Sequence, residues 1–272
     1  MAVPDSTSLA RTIRAHALRM VAAARGSHLG GALSMADVVA VLYADILRLL
    51  PSNPAWPDRD RFVLSKGHCC SVLYAALAEV GFFSVSELET YGQDGSRLMA
   101  HVSHKVPGVE FSTGSLGHGL PFALGKALAA KRSGHTFRAF ALLSDGELDE
   151  GSNWEAILLA PQLQLDNLVL IIDANGIQSL GSVAEVINLE PLRAKFEAFR
   201  WEVREIDGHN HEAIRLAGAA LPFQPGRPSC LIARTIKGKG VDFMENQLAW
   251  HYRSPNADLL AKALAQLEQN PS

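Results

Sequence analysis

The sequence lacks the features of several large functional classes. It has three cysteines, Cys69, Cys70 and Cys230, and no Cys-x-x-Cys spacing, which argues against a thiolate zinc site and predicts reduced, structural thiols. Charged residues make up only 19% of the chain, and no basic stripe with interleaved aromatic residues is present to bind nucleic acid. No apolar run could span a bilayer or serve as a signal peptide, so we expect a cytoplasmic protein without nucleic-acid or membrane partners.

The length and the apolar content favour one large domain with an interface. A chain of 272 residues can bury a sizeable core, and we predict a single domain over residues 1–272 with a short helical tail at about 256–272. Hydrophobic residues make up 48% of the chain, more than is usual for a soluble monomer, so part of the apolar surface is expected to contact another chain. Neither a GxGxxG motif nor a P-loop follows the first predicted strand, which argues against a plain nucleotide-binding protein.

Hydrophobic periodicity predicts an α/β fold. Amphipathic helices are predicted over 8–25 and 34–50, the second opening with a Ser-x-x-Asp capping pattern at Ser34 and Asp37. From Phe137 onwards, short buried strands alternate with helices, which predicts a parallel sheet with helices on both faces. The strands are predicted at 137–144, 167–175, 201–206 and 229–235, and the helices at 153–164, 191–199 and 211–221.

Polar residues follow two consecutive predicted strands. Asp145-Gly146 follows the first strand and Asn175-Gly176 the second, and ligands of parallel sheets bind beyond the carboxyl ends of the strands. Asp145, Asn175 and a backbone carbonyl near Ile177 would give a hard cation such as Mg²⁺ three oxygen ligands, with phosphate oxygens completing its shell. Asp-Gly and Asn-Gly are also common turn dipeptides, and each alone is more often a simple turn than part of a metal site.

Several segments, in order along the chain, resemble the transketolase family. The stretch from Ser144 to Gln178 resembles the family's thiamine-diphosphate motif, which is GDG followed about thirty residues later by Asn. SHLGG at Ser27, DRFVLSKGH at 60–68 and PGVEFSTGSLGHG at 107–119 resemble further transketolase segments, so the resemblance covers nearly the whole chain. It implies a thiamine-diphosphate-binding fold, with thiamine diphosphate and Mg²⁺, or another divalent cation such as Ca²⁺ or Mn²⁺, as cofactors.

The resemblance also implies roles for individual residues. Of the ten histidines, His28, His68, His101 and His251 match family positions that bind substrate hydroxyls or lie near the diphosphate and the reacting carbon. Imidazoles suit both tasks, because they can donate or accept hydrogen bonds and transfer protons near neutral pH. Glu150 matches a glutamate at the family's subunit interface and is a further catalytic candidate. The implied cofactor-binding residues are His68, Gly114, Ser115, Leu116, Asp145, Gly146, Glu147, Asn175, Ile177 and His251.

The remaining histidines have no comparable counterpart in the family motifs. His16, His104, His135, His209 and His211 gain no role from the resemblance, and His118 has only its place in the glycine-rich loop. The sequence also departs from the family pattern around the candidate site. Ser144 replaces a glycine, Leu29 a proline and His118 a glutamine, and Ala100-His101-Val102 replaces Gly-His-Pro. These changes leave the candidate metal ligands in place but leave the choice of sugar open.

The family's activity requires groups that this sequence does not supply. In transketolases a second domain carries the glutamate and the aromatic residue that contact the cofactor's pyrimidine, whereas this sequence ends at Ser272. The resemblance therefore implies a partner subunit that supplies the pyrimidine-binding domain, a heterotetramer of two such pairs, and ketol transfer from a ketose phosphate to an aldose. Two alternatives remain: a related carboligase with another donor, similar to deoxyxylulose-phosphate synthase or to a specialised sugar enzyme, and a noncatalytic regulatory subunit.

Overall fold

A five-stranded parallel sheet forms the centre of the protein. The computed structural model describes residues 4–269, and the strand order is β1-β2-β3-β5-β4 with every neighbouring pair parallel. The strands are β1 (Arg61–Leu64), β2 (Ala139–Ser144), β3 (Leu168–Ala174), β4 (Glu202–Asp207) and β5 (Ser229–Arg234). The four strands predicted from the sequence are confirmed, with small differences at their ends. Strand β1 has only four residues and showed no periodic signal of its own.

Helices cover both faces of the sheet, as the alternation of strands and helices predicted. They are α1 (Ser6–Ala23), α2 (Leu29–Ser34), α3 (Ala36–Val41), α4 (Cys70–Glu79), α5 (Gly119–Ser133), α6 (Gly151–Gln162), α7 (Val183–Val186), α8 (Leu192–Ala198), α9 (His211–Ala219) and α10 (Ala257–Gln269). Helix α1 is capped by Asp5, whose carboxylate accepts hydrogen bonds from the amides of Thr7 and Ser8. This side chain satisfies backbone donors that the first turn would otherwise leave unpaired.

The side chains of the central strands alternate between two hydrophobic cores. Phe140 and Leu142 of β2 point into the core beneath α1, α3 and α4, whereas Ala141 and Leu143 point into the core beneath α5, α6 and α8. All four side chains are fully buried. This two-sided burial explains why the strands are apolar in sequence without a polar alternation.

The helix predicted over 34–50 is confirmed only over residues 36–46, and its predicted start and end are wrong. Helix α2 ends at Ser34, α3 ends at Val41, and a π-helical turn over Leu42–Ile46 follows. The capping pattern fails because both of its polar residues are buried and have other partners. The Ser34 hydroxyl donates to Asp173, and the Asp37 carboxylate pairs with Arg14.

The register of the sheet places the candidate polar residues at one edge. Ser144 pairs with Asp173, and Asp173 pairs with Ala233 of β5, so the strands end at the same height. Asp145, Asn175 and Thr235 therefore leave the sheet side by side. The next strand, β1, ends at Leu64 opposite Leu142 and delivers the Ser65–His68 segment to the same edge.

The termini and the thiols agree with the predictions where the structure describes them. Helix α10 forms most of the predicted tail and buries Ala263 and Leu267 in the same core as α1, whereas residues 270–272 lie outside the described part of the chain. Cys69, Cys70 and Cys230 are all buried and free. None of the helices between residues 4 and 269 combines the length and apolar character that a bilayer crossing requires.

Candidate functional site

A cavity of about 240 Å³ opens at the carboxyl edge of the sheet. Ten residues singled out in the sequence line it: His28, His68, His101, Gly114, Leu116, Asp145, Gly146, Asn175, Ile177 and His251. These residues come from seven separate segments of the chain, and the fold brings them together. None of the other lining residues was predicted as a site residue, and Ser144 was noted only as a departure from the family pattern. They are Gly31, Lys66, Ser144, Gln178, Ser179 and Lys237.

Three of the candidate residues lie outside the cavity lining. Ser115 and Glu150 are exposed, and Glu150 lies against the turn at Gly117. Glu147 is fully buried, and its carboxylate accepts hydrogen bonds from the Ser65 hydroxyl and from the Gly117 amide. Glu147 therefore supports the glycine-rich loop from below, and any contact of these three residues with a cofactor or a partner stays a prediction.

Asp145 and Asn175 are joined through the backbone at the strand ends. The two carboxylate oxygens of Asp145 accept hydrogen bonds from the amides of Gly146 (2.8 Å) and Gly176 (2.6 Å). The second bond ties the residue after Asn175 directly to Asp145. Both side chains are almost completely buried, with 4% and 8% of their surface exposed.

Asp173 fixes the orientation of the Asn175 carboxamide. The Nδ2 atom of Asn175 donates to Asp173 at 3.0 Å, so its Oδ1 atom lies on the opposite side of the amide group and accepts from the Ile177 amide at 3.2 Å. Asp173 also accepts from Ser34, Thr235 and the Lys66 ammonium. With four donors around one buried carboxylate, the amide has little freedom to flip.

Burial and neighbouring charges set the protonation of these acids. Burial, together with the nearby Asp173 carboxylate, raises the pKa of Asp145 to about 6. Burial also opposes the charge on Asp173, but the Lys66 ammonium outweighs it and lowers the pKa of Asp173. The charge on Asp145 is therefore costly to the fold, which is typical of a carboxylate that serves a ligand rather than stability.

The oxygen atoms at this edge fit a hard divalent cation. Within residues 4–269, no group of three or more His, Cys, Asp or Glu side chains could hold a metal ion, so a purely side-chain metal site is absent there. A carboxylate, a carboxamide oxygen and a backbone carbonyl are instead the ligands that Mg²⁺ accepts when phosphates and water complete its shell. The Ile177 carbonyl accepts a hydrogen bond of 2.7 Å from the Lys237 ammonium, which holds this third oxygen in place.

The four candidate histidines form one cluster in the lining of the same cavity. The ring centroid of His28 lies 4.9 Å from His68, 5.1 Å from His251 and 6.0 Å from His101. Burial, then the charges of neighbouring groups, lowers the pKa of His28 to about 4 and that of His251 to about 3. Burial also lowers the pKa of His68 well below its usual value. At neutral pH these three rings are neutral and can each donate and accept one hydrogen bond.

Specific backbone contacts position the segments that carry these histidines. His28 has a left-handed backbone (φ 71°), and its amide donates to the carbonyl of His251 at 2.8 Å. A side chain at Gly67 would put its first carbon 2.4 Å from the Thr113 carbonyl oxygen, so glycine alone fits before His68. The Tyr74 hydroxyl donates to the His101 carbonyl and thereby fixes the segment after α4.

Acid should destabilise the protein partly through this histidine cluster. Between the ordinary histidine pKa of 6.5 and the folded-state value of about 4, the unfolded chain binds protons at His28 that the folded chain does not. Stability is therefore full above pH 6.5 and falls as the pH drops towards 4. The free energy of unfolding is measured by urea titration at pH 7.5 and at pH 5. We expect it to decrease less over this range in H28N/H251N than in the wild type. The expected difference is on the order of 1 kcal/mol after allowance for the partial solvent exposure of the rings.

The control for this titration is H104N. His104 is exposed, bonds to the Ser112 hydroxyl and lies outside the cavity lining, so H104N makes the same kind of substitution while the cluster stays intact. An identical pH dependence in the wild type and H28N/H251N would show that the cluster does not carry the effect.

Most of the positions that depart from the transketolase pattern lie outside the cavity lining. Leu29 is fully buried and Val102 is 4% exposed, and neither lines the cavity. His118 is exposed and bonds to the Leu116 carbonyl. Ser144 alone lines the cavity, and its hydroxyl accepts from the Glu147 amide. Four of the five replaced positions therefore lie outside the cavity lining.

Comparison with known proteins identifies the relatives of this arrangement. The family described as "Transketolase, thiamine diphosphate binding domain" matches residues 5–272. One subunit of the apulose-4-phosphate transketolase of Phocaeicola vulgatus is 41% identical over 256 residues, which are 94% of this chain and 91% of that protein. The 6-deoxy-6-sulfo-D-fructose transketolase subunit SqwG of a Clostridium species is 40% identical over 266 residues, 97% of each chain.

Solved structures share the fold across almost the entire chain. The transketolase of Leishmania mexicana superposes with a TM-score of 0.92 at 31% identity, over 99% of this chain and 42% of that one. The transketolase of Campylobacter jejuni superposes with a TM-score of 0.91 at 33% identity, over 100% of this chain and 44% of that one. This chain therefore spans about two fifths of the length of these solved structures.

Proposed function

Because this chain belongs to the transketolase family and matches its thiamine-diphosphate-binding domain, we propose that it is the cofactor-binding subunit of a two-subunit transketolase. The reaction is the transfer of a two-carbon ketol unit from a ketose phosphate to an aldose. One observation carries the proposal: the buried oxygen ligands and the four histidines line the same cavity. The residues and their chemistry thus suit both halves of the task, cofactor anchoring and recognition of a hydroxylated substrate.

The strand ends would anchor the metal and the diphosphate. In this proposal Asp145, Asn175 and the Ile177 carbonyl hold Mg²⁺, with Ca²⁺ or Mn²⁺ as substitutes. The buried ammonium groups of Lys66 and Lys237 line the same cavity and favour a negatively charged ligand there. Gly114 and Leu116 line the cavity from the glycine-rich loop, where a flat ring could approach the backbone closely.

The histidines would bind the sugar. Thiamine diphosphate supplies the nucleophilic carbon that accepts and releases the ketol unit. His28, His68 and His251 are neutral at pH 7, so each can donate one hydrogen bond and accept another from neighbouring sugar hydroxyls. In this proposal His28 and His101 bind substrate hydroxyls, whereas His68 and His251 lie nearer the diphosphate and the reacting carbon.

A second polypeptide would complete the active site. Among the described residues, Asp145 is the sole carboxylic acid in the cavity lining, and it lies at the metal end. In this proposal the partner chain supplies the carboxylate for the aminopyrimidine. The relatives are named as subunits of an apulose-4-phosphate transketolase and of a sulfofructose transketolase, which supports a partner of this kind. We propose a heterotetramer of two such pairs, with residues 1–272 as one domain that includes the C-terminal helix.

Two features bear on the substrate and the location. The relatives' names specify 4-phosphorylated apulose and 6-deoxy-6-sulfofructose, which supports a specialised sugar rather than the common pentose phosphates. A cytoplasmic location belongs to the same proposal, because charged sugar phosphates do not cross a bilayer unaided.

A donor comparison tests the reaction class. The chain is mixed with its partner subunit, thiamine diphosphate and Mg²⁺, and ketose phosphates are compared with pyruvate as donors to an aldose acceptor. We expect product with a ketose phosphate and at least about tenfold slower turnover with pyruvate, because the neutral histidines match hydroxyls that pyruvate lacks. A mixture without added metal is the control. Efficient turnover of pyruvate would instead favour a synthase-type carboligase.

A further inference from the structure

A buried charge cluster lies behind the cavity and outside its lining. Its centre is Asp37 of α3, which is 1% exposed. The Arg14 guanidinium donates to both Asp37 oxygens, at 2.8 and 2.6 Å. His209 and His211 approach the same carboxylate at 2.7 and 3.2 Å. No sequence motif assigned a role to these two histidines. Both bind Asp37, which thereby links α3 to α1, to α9 and to the segment after β4.

His209 is bound at both ring nitrogens, and its tautomer follows from its partners. Its Nε2 atom lies 2.8 Å from the backbone nitrogen of Ile236. A backbone amide can only donate, so Nε2 must accept, and the ring proton is on Nδ1, which donates to Asp37. His209 therefore links a fixed buried carboxylate to the backbone of the segment that follows β5. His211 binds Asp37 and the Ser6 hydroxyl but makes no hydrogen bond to this segment.

The residue after Ile236 is Lys237, and its side chain contacts the carbonyl of Ile177, a candidate metal ligand. Lys237 is 2% exposed, and its ammonium donates to the carbonyls of Ile177 (2.7 Å) and Gln178 (3.3 Å). Its side chain packs on Gly30, where an added carbon would lie 3.1 Å from Cγ of Lys237. The Lys237 side chain therefore runs close along Gly30 to these carbonyls. Its backbone is bound on one side through the Ile236 amide and on the other through the Gly238 amide, which donates to the Gly30 carbonyl at 2.9 Å.

We propose that His209 is a positioning residue for cofactor binding. Asp37 orients the His209 ring, the ring holds the Ile236 amide, and Lys237 then holds the Ile177 carbonyl in the place where it can ligate the cation. That the bound ligand is thiamine diphosphate with Mg²⁺ rests on the proposed function. The effect of His209 on the order of the 235–245 segment does not depend on it. Loss of the Ile236 bond should therefore loosen this segment and weaken cofactor binding, without touching any residue that lines the cavity.

Two substitutions at the same position separate the two bonds of the ring. In H209N the carboxamide lies where Nδ1 was, so the bond to Asp37 is kept and the bond to Ile236 is lost. In H209Q the carboxamide reaches the former Nε2 position, so the bond to Ile236 is kept and the bond to Asp37 is lost. H211N is the matched control, since His211 binds the same acid at similar exposure, 10% against 14%, but does not bind the segment.

The test measures amide exchange and cofactor binding. Hydrogen exchange of the 235–245 segment is followed without cofactor, and thiamine diphosphate binding with Mg²⁺ is titrated calorimetrically in the complex with the partner subunit. We expect H209N to speed exchange and to weaken binding about tenfold each, the size of effect expected when a buried donor loses its partner. H209Q and H211N should bind within about twofold of the wild type, because both keep the Ile236 amide satisfied.

The outcomes distinguish this role from general destabilisation and from the proposed function. Wild-type binding and exchange in H209N, or equal weakening in H209N and H211N, would overturn the positioning role. If H209N does not fold, H209Q decides: wild-type affinity supports the role, and a tenfold loss contradicts it. If the wild-type complex takes up no thiamine diphosphate, the proposed function fails, and the exchange data alone then judge the role of His209.

Discussion

D145N should abolish binding of thiamine diphosphate in the presence of Mg²⁺. Both carboxylate oxygens of Asp145 are oriented by backbone amides, and the substitution removes the only negative charge in the described cavity lining. The carboxamide would also turn its NH₂ group towards an amide donor or towards the cation. We expect at least about 100-fold weaker binding by calorimetry in the complex with the partner subunit, since hydrogen bonds and contacts to charged groups are worth this much when buried.

The matched control is D94N. Asp94 is an exposed carboxylate that does not line the cavity, so the change in net charge is the same while the cavity is untouched. D145N itself should remain folded, because burial raises the pKa of Asp145 to about 6 and its charge therefore does not favour the fold. Wild-type affinity in a folded D145N would contradict the assignment of this residue as a metal ligand.

The purified chain alone should show no ketol transfer. Its cavity, in the part of the chain that the structure describes, contains one carboxylate, at the metal end, and the chain aligns with about two fifths of the solved transketolases. Addition of the partner subunit should raise turnover at least about 100-fold, the lower end of the contribution of a missing acid–base group. Steady-state rates during titration with the partner should rise and then saturate at an equimolar ratio.

D145N mixed with the partner is the control for this reconstitution. It should stay inactive at every ratio, which excludes turnover by the partner alone. Sustained ketol transfer by the wild-type chain without a partner would contradict the two-subunit proposal.

The sequence located four of the five strands and the polar residues at the ends of two of them. Runs such as LVLII are buried on both faces, and their apolar character is visible without any tertiary information. Asp145 and Asn175 follow two such runs, and because neighbouring parallel strands end at one edge, their proximity could be predicted. The four histidines of the cavity were predicted only from the resemblance of their segments to family motifs. Nothing in their spacing along the chain shows that they lie close together.

The same periodic signal failed where helices are buried all round. All residues of α2 and α3 are buried, so no polar face marks where one helix ends and the next begins. The Ser34–Asp37 pattern suggested a capped helix, but both side chains are needed as partners of distant charged groups. A local pattern cannot show this competition, because the competing partners lie 23 and 139 residues away.

The sequence by itself determined the fold class, the family and most of the side chains that line the cavity, because these depend on local apolar patterns and on short motifs. Tertiary structure alone decided how those side chains are held. Lys66 meets Asp173, Lys237 meets Ile177, and His209 joins Asp37 to Ile236 only after the sheet and its helices have packed. A buried polar residue must find a partner, but which partner it finds depends on the packing of elements that are distant in the chain.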